Sequence, residues 1–349
     1  MNIRRRALAA VATLTVSALA LSACATGEDF EETTSSASAS ATSAAGDATG
    51  TEAAGAETVT VEDNYGTQEV PVDPSPLVVT DNRSFEILSD WGVKIDAAPK
   101  ALVPFTVTEY KDNPDVIDIG NHREPDLEAL TAVQPEVVVN GQRFSQHYEA
   151  IAKLNPETTM VEFEPREGEP LDEELTRHAE ALGQIFDHED DADQLIADFE
   201  DALQRAKDAY DPEKKVMAVN VSGGEVGYIA PSVGRTFGPL FDLLGLTPAL
   251  EIEGGSDDHQ GDDISVEAIA AANPDIIIVL DRDAGTSDRN EPGFTPAQTV
   301  IGDNAALKNT AAIADGNVYY APEDTYTNES IITYTEILNA LADQFEAAK

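Results

Sequence analysis

Residues 264–282, ISVEAIAAANPDIIIVLDR, decide the fold, because residues 124–143, EPDLEALTAVQPEVVVNGQR, carry the same pattern. Glu128 answers to Glu267, Pro135 to Pro274 and Arg143 to Arg282, each pair 139 positions apart (267−128, 274−135, 282−143). That spacing is too long for a solenoid repeat and implies two similar lobes. Each copy reads as a short amphipathic helix, a proline-containing turn, a β-branched apolar run and a loop. The runs at 137–139 and 276–279 are expected to be buried strands, and an apolar run entered from a helix is the mark of a parallel sheet. Arg143 and Arg282 then fall just past the carboxyl ends of strands, where open α/β sheets bind ligands.

The 349 residues suffice for two domains with sizeable cores. The N-terminus belongs to neither. Arg4, Arg5 and Arg6 followed by the apolar run 7–21 read as a signal peptide (1–23), too short and wrongly flanked for a spanning helix. Its end, Leu21-Ser22-Ala23-Cys24, resembles the bacterial lipoprotein box, in which the thiol of Cys24 is lipidated and becomes the new N-terminus. Cys24 is the only cysteine, so no disulfide forms within one chain. Residues 24–56 are mostly Ala, Ser, Thr, Gly and acids; they cannot bury a core and read as a flexible, lipid-anchored tether. The expected location is the outer face of the bacterial cell membrane.

Lys and Arg number 21 against 66 Asp and Glu, a net charge of −45. Loss of Arg4, Arg5 and Arg6 with the signal segment leaves about −48. Such a charge excludes nucleic acid as a partner. It also makes an arginine at a loop tip call for explanation.

The N-terminal lobe is expected over 57–188. Val59, Thr60 and Val61, a turn at 64–66 and residues 68–72 suggest a hairpin, and 77–80 read as the first parallel strand. The loop Asp81-Asn82-Arg83-Ser84 opens a helix over 85–91 that stops at Gly92. Gly234-Arg235-Thr236, ahead of 241–244 and Gly245, repeats this with one residue inserted. Apolar residues at helical spacing from Ala192 to Tyr210 predict one connecting helix over 189–211, about 30 Å long and therefore a stiff spacer. The C-terminal lobe, 212–349, begins its sheet at 216–221, adds a last strand at 318–320 and closes with a helix over 331–347. The fold class is thus α/β: two βα lobes with parallel-type central sheets, joined by a single long α-helix, with a ligand cleft between them.

These features, with GNHREPDLEAL, NGQRF, APSVGRTFGP, HQGDDISVEAI, VLDRDAG and VYYAPEDTYTNES, resemble the helical-backbone class of substrate-binding proteins of ABC importers, and within it the ferric-siderophore and catecholate binders. The resemblance implies a monomeric binding protein without enzymatic activity or a resident cofactor, carrying iron as a chelate to an ABC permease dimer. A ferric catecholate is an anion, and the planar, always charged arginine fork suits it. Arg143, Arg235 and Arg282 match arginines that surround the ligand in the family, although in NGQRF Arg143 stands one residue later than in the commoner Gly-Arg arrangement; Arg83 occupies an equivalent loop. His259 and Tyr326 resemble a pair that fills two iron positions when the chelate supplies four donors. Glu128 and Glu267, one per lobe in the first turn of a helix, match glutamates that dock onto arginines of the two permease subunits; a first-turn carboxylate is also favourable against the helix dipole.

Other readings remain at this point. Haem, a corrinoid or a hydroxamate siderophore would suit the same architecture, though a corrinoid pocket should be richer in aromatics. A metal-dependent hydrolase would use His259 with Asp257, Asp258 and Asp262, and an adhesive surface protein would bind no small ligand. HExxH, paired Cys spacing and GxSxG are absent from the sequence. Gly223-Gly224 and Gly254-Gly255 lack a P-loop lysine and read as turns. His178 and His188 are expected at the surface, His147 as a helix cap, and His122 is left open.

Overall fold

The computed structural model describes residues 57–348; the expected signal segment 1–23, Cys24 and the tether 24–56 lie outside them. A hairpin of β1 (Thr58–Asp63) and β2 (Gly66–Pro71) opens the described chain. The N-terminal lobe follows as β3 (Leu77–Val79), α1 (Ser84–Asp90), β4 (Ala97–Ala98), α2 (Thr108–Lys111), β5 (Ile117–Asp118), α3 (Leu127–Val133), β6 (Val137–Asn140), α4 (Tyr148–Leu154) and β7 (Thr159–Glu162). Two long helices, α5 (Leu171–Phe186) and α6 (Glu189–Ala209), lead to the C-terminal lobe. There β8 (Lys215–Ser222), β9 (Glu225–Ile229), α7 (Gly238–Leu244), β10 (Thr247–Pro248), α8 (Val266–Ala272), β11 (Ile276–Asp281), α9 (Ala297–Gly302), α10 (Ala311–Asp315), β12 (Val318–Tyr320) and α11 (Ile331–Ala347) complete the chain.

The doubling read from the sequence is a doubling of topology. One sheet runs β5-β4-β3-β6-β7 with every pairing parallel; the other runs β10-β8-β11-β12, also parallel. Thus β3 corresponds to β8, β6 to β11 and β7 to β12. The helices before β6 and β11 are built alike. Asp126 and Ser265 cap α3 and α8 by accepting from the amide three residues on, at 2.8 and 3.2 Å. Gln134 (φ 54°) and Asn273 (φ 47°) end those helices in the left-handed conformation immediately before the shared proline.

Five strands escaped the sequence reading: β4, β5, β7 and β10, which extend the two parallel sheets, and β9. Gly223 (φ 60°) and Gly224 (φ 81°) do form a turn, and that turn folds β9 back antiparallel on the far half of β8. The C-terminal sheet is therefore mixed.

Alternate strand residues serve two different cores, as the period of a strand requires. Val79, Val139, Ile276, Ile278 and Leu280 face one continuous cluster that also takes in Phe199 and Leu203 of α6 and Ile337 and Leu341 of α11. Val78 and Val138 pack instead under α3 and α4, and Ile277 and Val279 under α8 to α10. Both lobes thus share one core along α6. Arg205 of α6 is tied to Asp343 and, at 3.3 Å, to Glu346 of α11.

His178 corrects an expectation. It lies on the buried face of α5 with Leu175, Ala179 and Leu182, is 2% exposed, and its Nε2 stands 2.9 Å from Ser84 Oγ and 3.3 Å from Asp81 Oδ2. His188 is half-buried, stacked on Trp91 with ring centroids 5.1 Å apart and bonded to Asp191 through Nδ1 at 2.6 Å.

A shared core predicts cooperative unfolding. Urea denaturation should give one transition by both far-ultraviolet dichroism and tyrosine emission, and Phe199→Ala should lower its free energy by about 3–5 kcal/mol. Two resolved transitions would contradict the shared core.

Candidate functional site

The loops that leave the carboxyl ends of the strands meet between the lobes, around a cleft of about 750 Å³. Ala101, Leu102, Asn121, His122, Arg123, Glu124 and Arg143 line the N-terminal wall; Arg235, His259, Arg282, Thr286, Ser287, Tyr326 and Thr327 line the other. The structure brings Arg143, Arg235, Arg282, His259 and Tyr326 together. A larger hollow of about 1030 Å³ lies elsewhere along the lobe junction, between residues 165–172 and Ser232, Val233 and Asp242, and holds none of them.

Tyr326 is the centre of the cleft. Its ring is 5% exposed, and the guanidinium carbons of Arg143, Arg235 and Arg282 lie 5.0, 4.8 and 5.2 Å from its centroid. Each contact is a cation–π attraction, but three cations around one ring also repel one another. Two of them are compensated. Arg235 pairs with Glu329 at 2.8 Å, and Arg282 with Asp283 at 2.8 Å and Asp288 at 3.2 Å. Arg143 forms no ion pair: Nη1 and Nη2 are buried without a well-formed hydrogen bond, and burial, then the charge of Arg235, push its pKa down against the weaker pull of Tyr326 and Glu329. Burial acts on Arg235 and Arg282 in the same sense but is outweighed, for Arg235 chiefly by Glu329. A buried cation without a partner is costly unless an anion meets it.

The displacement of Arg143 in NGQRF has a backbone explanation. Gln142, between Gly141 and Arg143, takes φ 51°, and from this left-handed turn Arg143 reaches the ring of Tyr326. Arg83 behaves differently from the expectation. It does not line the cleft; it is buried between Glu164 at 3.1 Å and Glu329 at 3.9 Å, and these carboxylates hold it in a structural role.

His259 sits on an exposed loop that is pinned near its ends. Tyr228 and Asp262 exchange backbone bonds of 2.8 and 2.7 Å, and Asn220 Nδ2 donates to the His259 carbonyl at 3.0 Å. Of the neighbouring acids only Asp258 comes near the imidazole, with Oδ1 3.9 Å from Nδ1. Asp262 receives Ser256 through both oxygens, and among the described residues no cluster of three or more His, Cys, Asp or Glu is arranged to hold a metal.

Sequence reasoning left two parts of the site unassigned. His122 lines the cleft, its Nδ1 is buried without a partner, and burial, Arg143 and Arg123 push its pKa down. His147 holds the N-cap position of α4 as expected but makes no side-chain cap bond; its Nε2 instead donates to the His122 carbonyl at 2.8 Å. The second part is the segment 324–330, buried throughout, whose polar groups reach into the N-terminal lobe. Thr106 Oγ1 donates to Asp324 at 2.6 Å, Asn82 Nδ2 to the Thr327 carbonyl at 2.7 Å, and Asn328 Nδ2 to Glu86 at 2.7 Å. A polar run, DTYTNES, directly before an apolar helix was the available signal.

Glu128 and Glu267 are exposed in the first turns of α3 and α8. They occupy equivalent places on the two lobes.

The profile of the family described as "Periplasmic binding protein" matches residues 77–325. The chain belongs to that family. The petrobactin-binding protein YclQ of Bacillus subtilis is 26% identical over 298 residues, 83% of this chain and 89% of that protein. The ferric-anguibactin-binding protein FatB of Vibrio anguillarum is 27% identical over 282 residues, 80% and 85% of the two chains. Among solved structures, the periplasmic catecholate-siderophore binding protein VctP of Vibrio cholerae superposes with a TM-score of 0.69 at 23% identity, covering 82% of this chain and 99% of that one, and so shares the fold.

The unequal compensation of the arginines gives a stability test without ligand. Arg235→Met should cost about 3 kcal/mol by stranding Glu329, whereas Arg143→Met should cost nothing or stabilise; thermal denaturation of both variants measures the contrast. Burial opposes ionisation of Glu329, but Arg235 and Arg83 overcome it and hold its pKa at about 2, below the ordinary 4.5. A depressed carboxylate stabilises the fold above its unfolded pKa, and this contribution, about 3 kcal/mol, fades as pH falls from about 4.5 towards 2. Urea denaturation at pH 7 and pH 3 should therefore show a larger loss for the native protein than for Glu329→Gln.

Proposed function

We propose that this protein captures an anionic ferric siderophore of the catecholate type in the cleft between its lobes and delivers it to an ABC permease. The observation that carries the reading is the buried, unpartnered guanidinium of Arg143 beside Tyr326, facing Arg235 and Arg282 from the opposite lobe. The relatives named for petrobactin and anguibactin, and the solved structure named for catecholate siderophores, support the same class of cargo. Arginine faces stack on catechol rings and their N–H groups meet phenolate oxygens. His259 and Tyr326 are the protein donors for iron positions that a four-donor chelate leaves open. Haem or a corrinoid is less well served, because Tyr326 is the one aromatic ring among the lining residues apart from the two imidazoles.

The protein works outside the cytoplasmic membrane, released from its signal segment at Cys24 and held there by lipid on that residue. Among the described residues no helix is long and apolar enough to cross a membrane. The lobes are 57–188 and 212–349, with 189–211 between them. Glu128 and Glu267 meet a two-fold related permease, one per lobe, as two equivalent anchors on a pseudo-symmetric surface must. The shared core along α6 supports a small closing motion rather than a wide hinge.

Visible absorption titration of the purified protein with the ferric complex of a linear bis(2,3-dihydroxybenzamide) tests the reading. Saturable binding is expected, with a charge-transfer band that shifts in Tyr326→Phe and His259→Ala and an affinity that falls about tenfold to a hundredfold in Arg143→Ala, the worth of one or two charged hydrogen bonds. Absence of binding to this complex and to other ferric chelates would overturn it. Trp91 does not line the cleft, so tryptophan emission is a poor reporter. Charge reversal at both Glu128 and Glu267 should abolish uptake by cells and leave affinity in solution unchanged; weakened binding in solution would remove these residues from the docking surface.

A further inference from the structure

Three non-glycine residues beside the cleft take backbone angles that side chains rarely adopt: Gln142 (φ 51°), Thr236 (φ 65°) and Glu329 (φ 54°). They lie on three separate loops drawn from both lobes, yet their side chains meet at one carboxylate. Glu329 Oε2 accepts from Gln142 Nε2 at 2.9 Å and from Arg235 Nη2 at 2.8 Å, while Oε1 accepts from Thr236 Oγ1 at 2.6 Å. Arg83 adds its charge at 3.9 Å. Glu329 is 2% exposed and lies not in the cleft around Tyr326 but in an adjoining hollow of about 370 Å³ that shares Arg143 and Arg235 with it.

The positions of its partners give this convergence a function. Gln142 directly precedes Arg143, and Thr236 directly follows Arg235. We propose that Glu329 is the positioning residue of the cleft: by holding the side chains of Gln142 and Thr236 it keeps both loops in their left-handed turns, and so aims Arg143 and Arg235 at Tyr326 and at the ligand without touching the ligand itself. The proposal rests on the anion-binding reading above and deepens it. It explains why a buried acid is retained beside a site that must attract anions.

Charge and position pull in opposite directions here, which makes the proposal testable by sign. A carboxylate next to an anion site repels the anion, so Coulomb interaction alone predicts that Glu329→Gln binds a ferric catecholate more tightly. Positioning predicts the reverse. Titration calorimetry of the purified protein with the ferric complex of a linear bis(2,3-dihydroxybenzamide) should show Glu329→Gln weakened by about tenfold or more. Gln142→Leu changes no charge, sits on a partly exposed loop and should weaken binding in the same sense, which keeps the question answerable if Glu329→Gln does not fold. Unchanged or tighter binding in the variant that folds would overturn the positioning role while leaving the anion-binding reading intact. Failure of the native protein to bind would overturn that reading and the proposal with it.

Discussion

A buried guanidinium with no acid beside it organises this molecule. Arg143 shares the ring of Tyr326 with Arg235 and Arg282, and whereas Glu329, Asp283 and Asp288 pair with the other two, no carboxylate among the described residues forms an ion pair with Arg143. The surplus positive charge is therefore local and buried. Four arginines and one glutamate line the cleft of a chain whose net charge is −45, so the lining is opposite in charge balance to the chain as a whole.

An electrostatic cluster of this kind is stable only on a rigid frame, because the guanidiniums would otherwise separate. The frame is supplied twice. Along α6 the two lobes share one apolar core, and above it the buried segment 324–330 binds Thr106, Asn82 and Glu86 of the N-terminal lobe through its own polar groups. Tyr326 stands in the middle of that segment. The residue that presents the ring to three arginines is thus fixed to both lobes, and the geometry of the cleft follows from the packing of the lobe junction.

Much of this was legible in the sequence, for local reasons. The β-branched runs of β6 and β11 and the shared prolines are decided by neighbours a few residues away, so the repeat could be read directly, whereas the order of the strands could not. Arginines at loop tips stand out in so acidic a chain, and the three that matched both repeat and motif do converge on Tyr326. Arg83 satisfied the same pattern and went elsewhere, because its fate depends on Glu164, a carboxylate 81 positions away in sequence. Glu329 was invisible as a special residue among 66 acids, since its partner Gln142 is 187 positions distant. His178 looked exposed on an acidic helix because its partner Ser84 lies 94 positions earlier. What local pattern decides, the sequence reveals; what long-range polar pairing decides, it conceals.

Capture of the ferric chelate depends on the attraction of the cleft for negative charge. The direct measurement is affinity against the net charge of the ligand, using ferric chelates of one denticity and similar size that differ only in carrying anionic, neutral or cationic substituents at the ring periphery. Affinity should rise steadily from the cationic to the anionic complexes, with a dependence that flattens as salt is raised and that is shallower in Arg143→Met. Affinity independent of ligand charge, or highest for the cationic complex, would contradict this attraction.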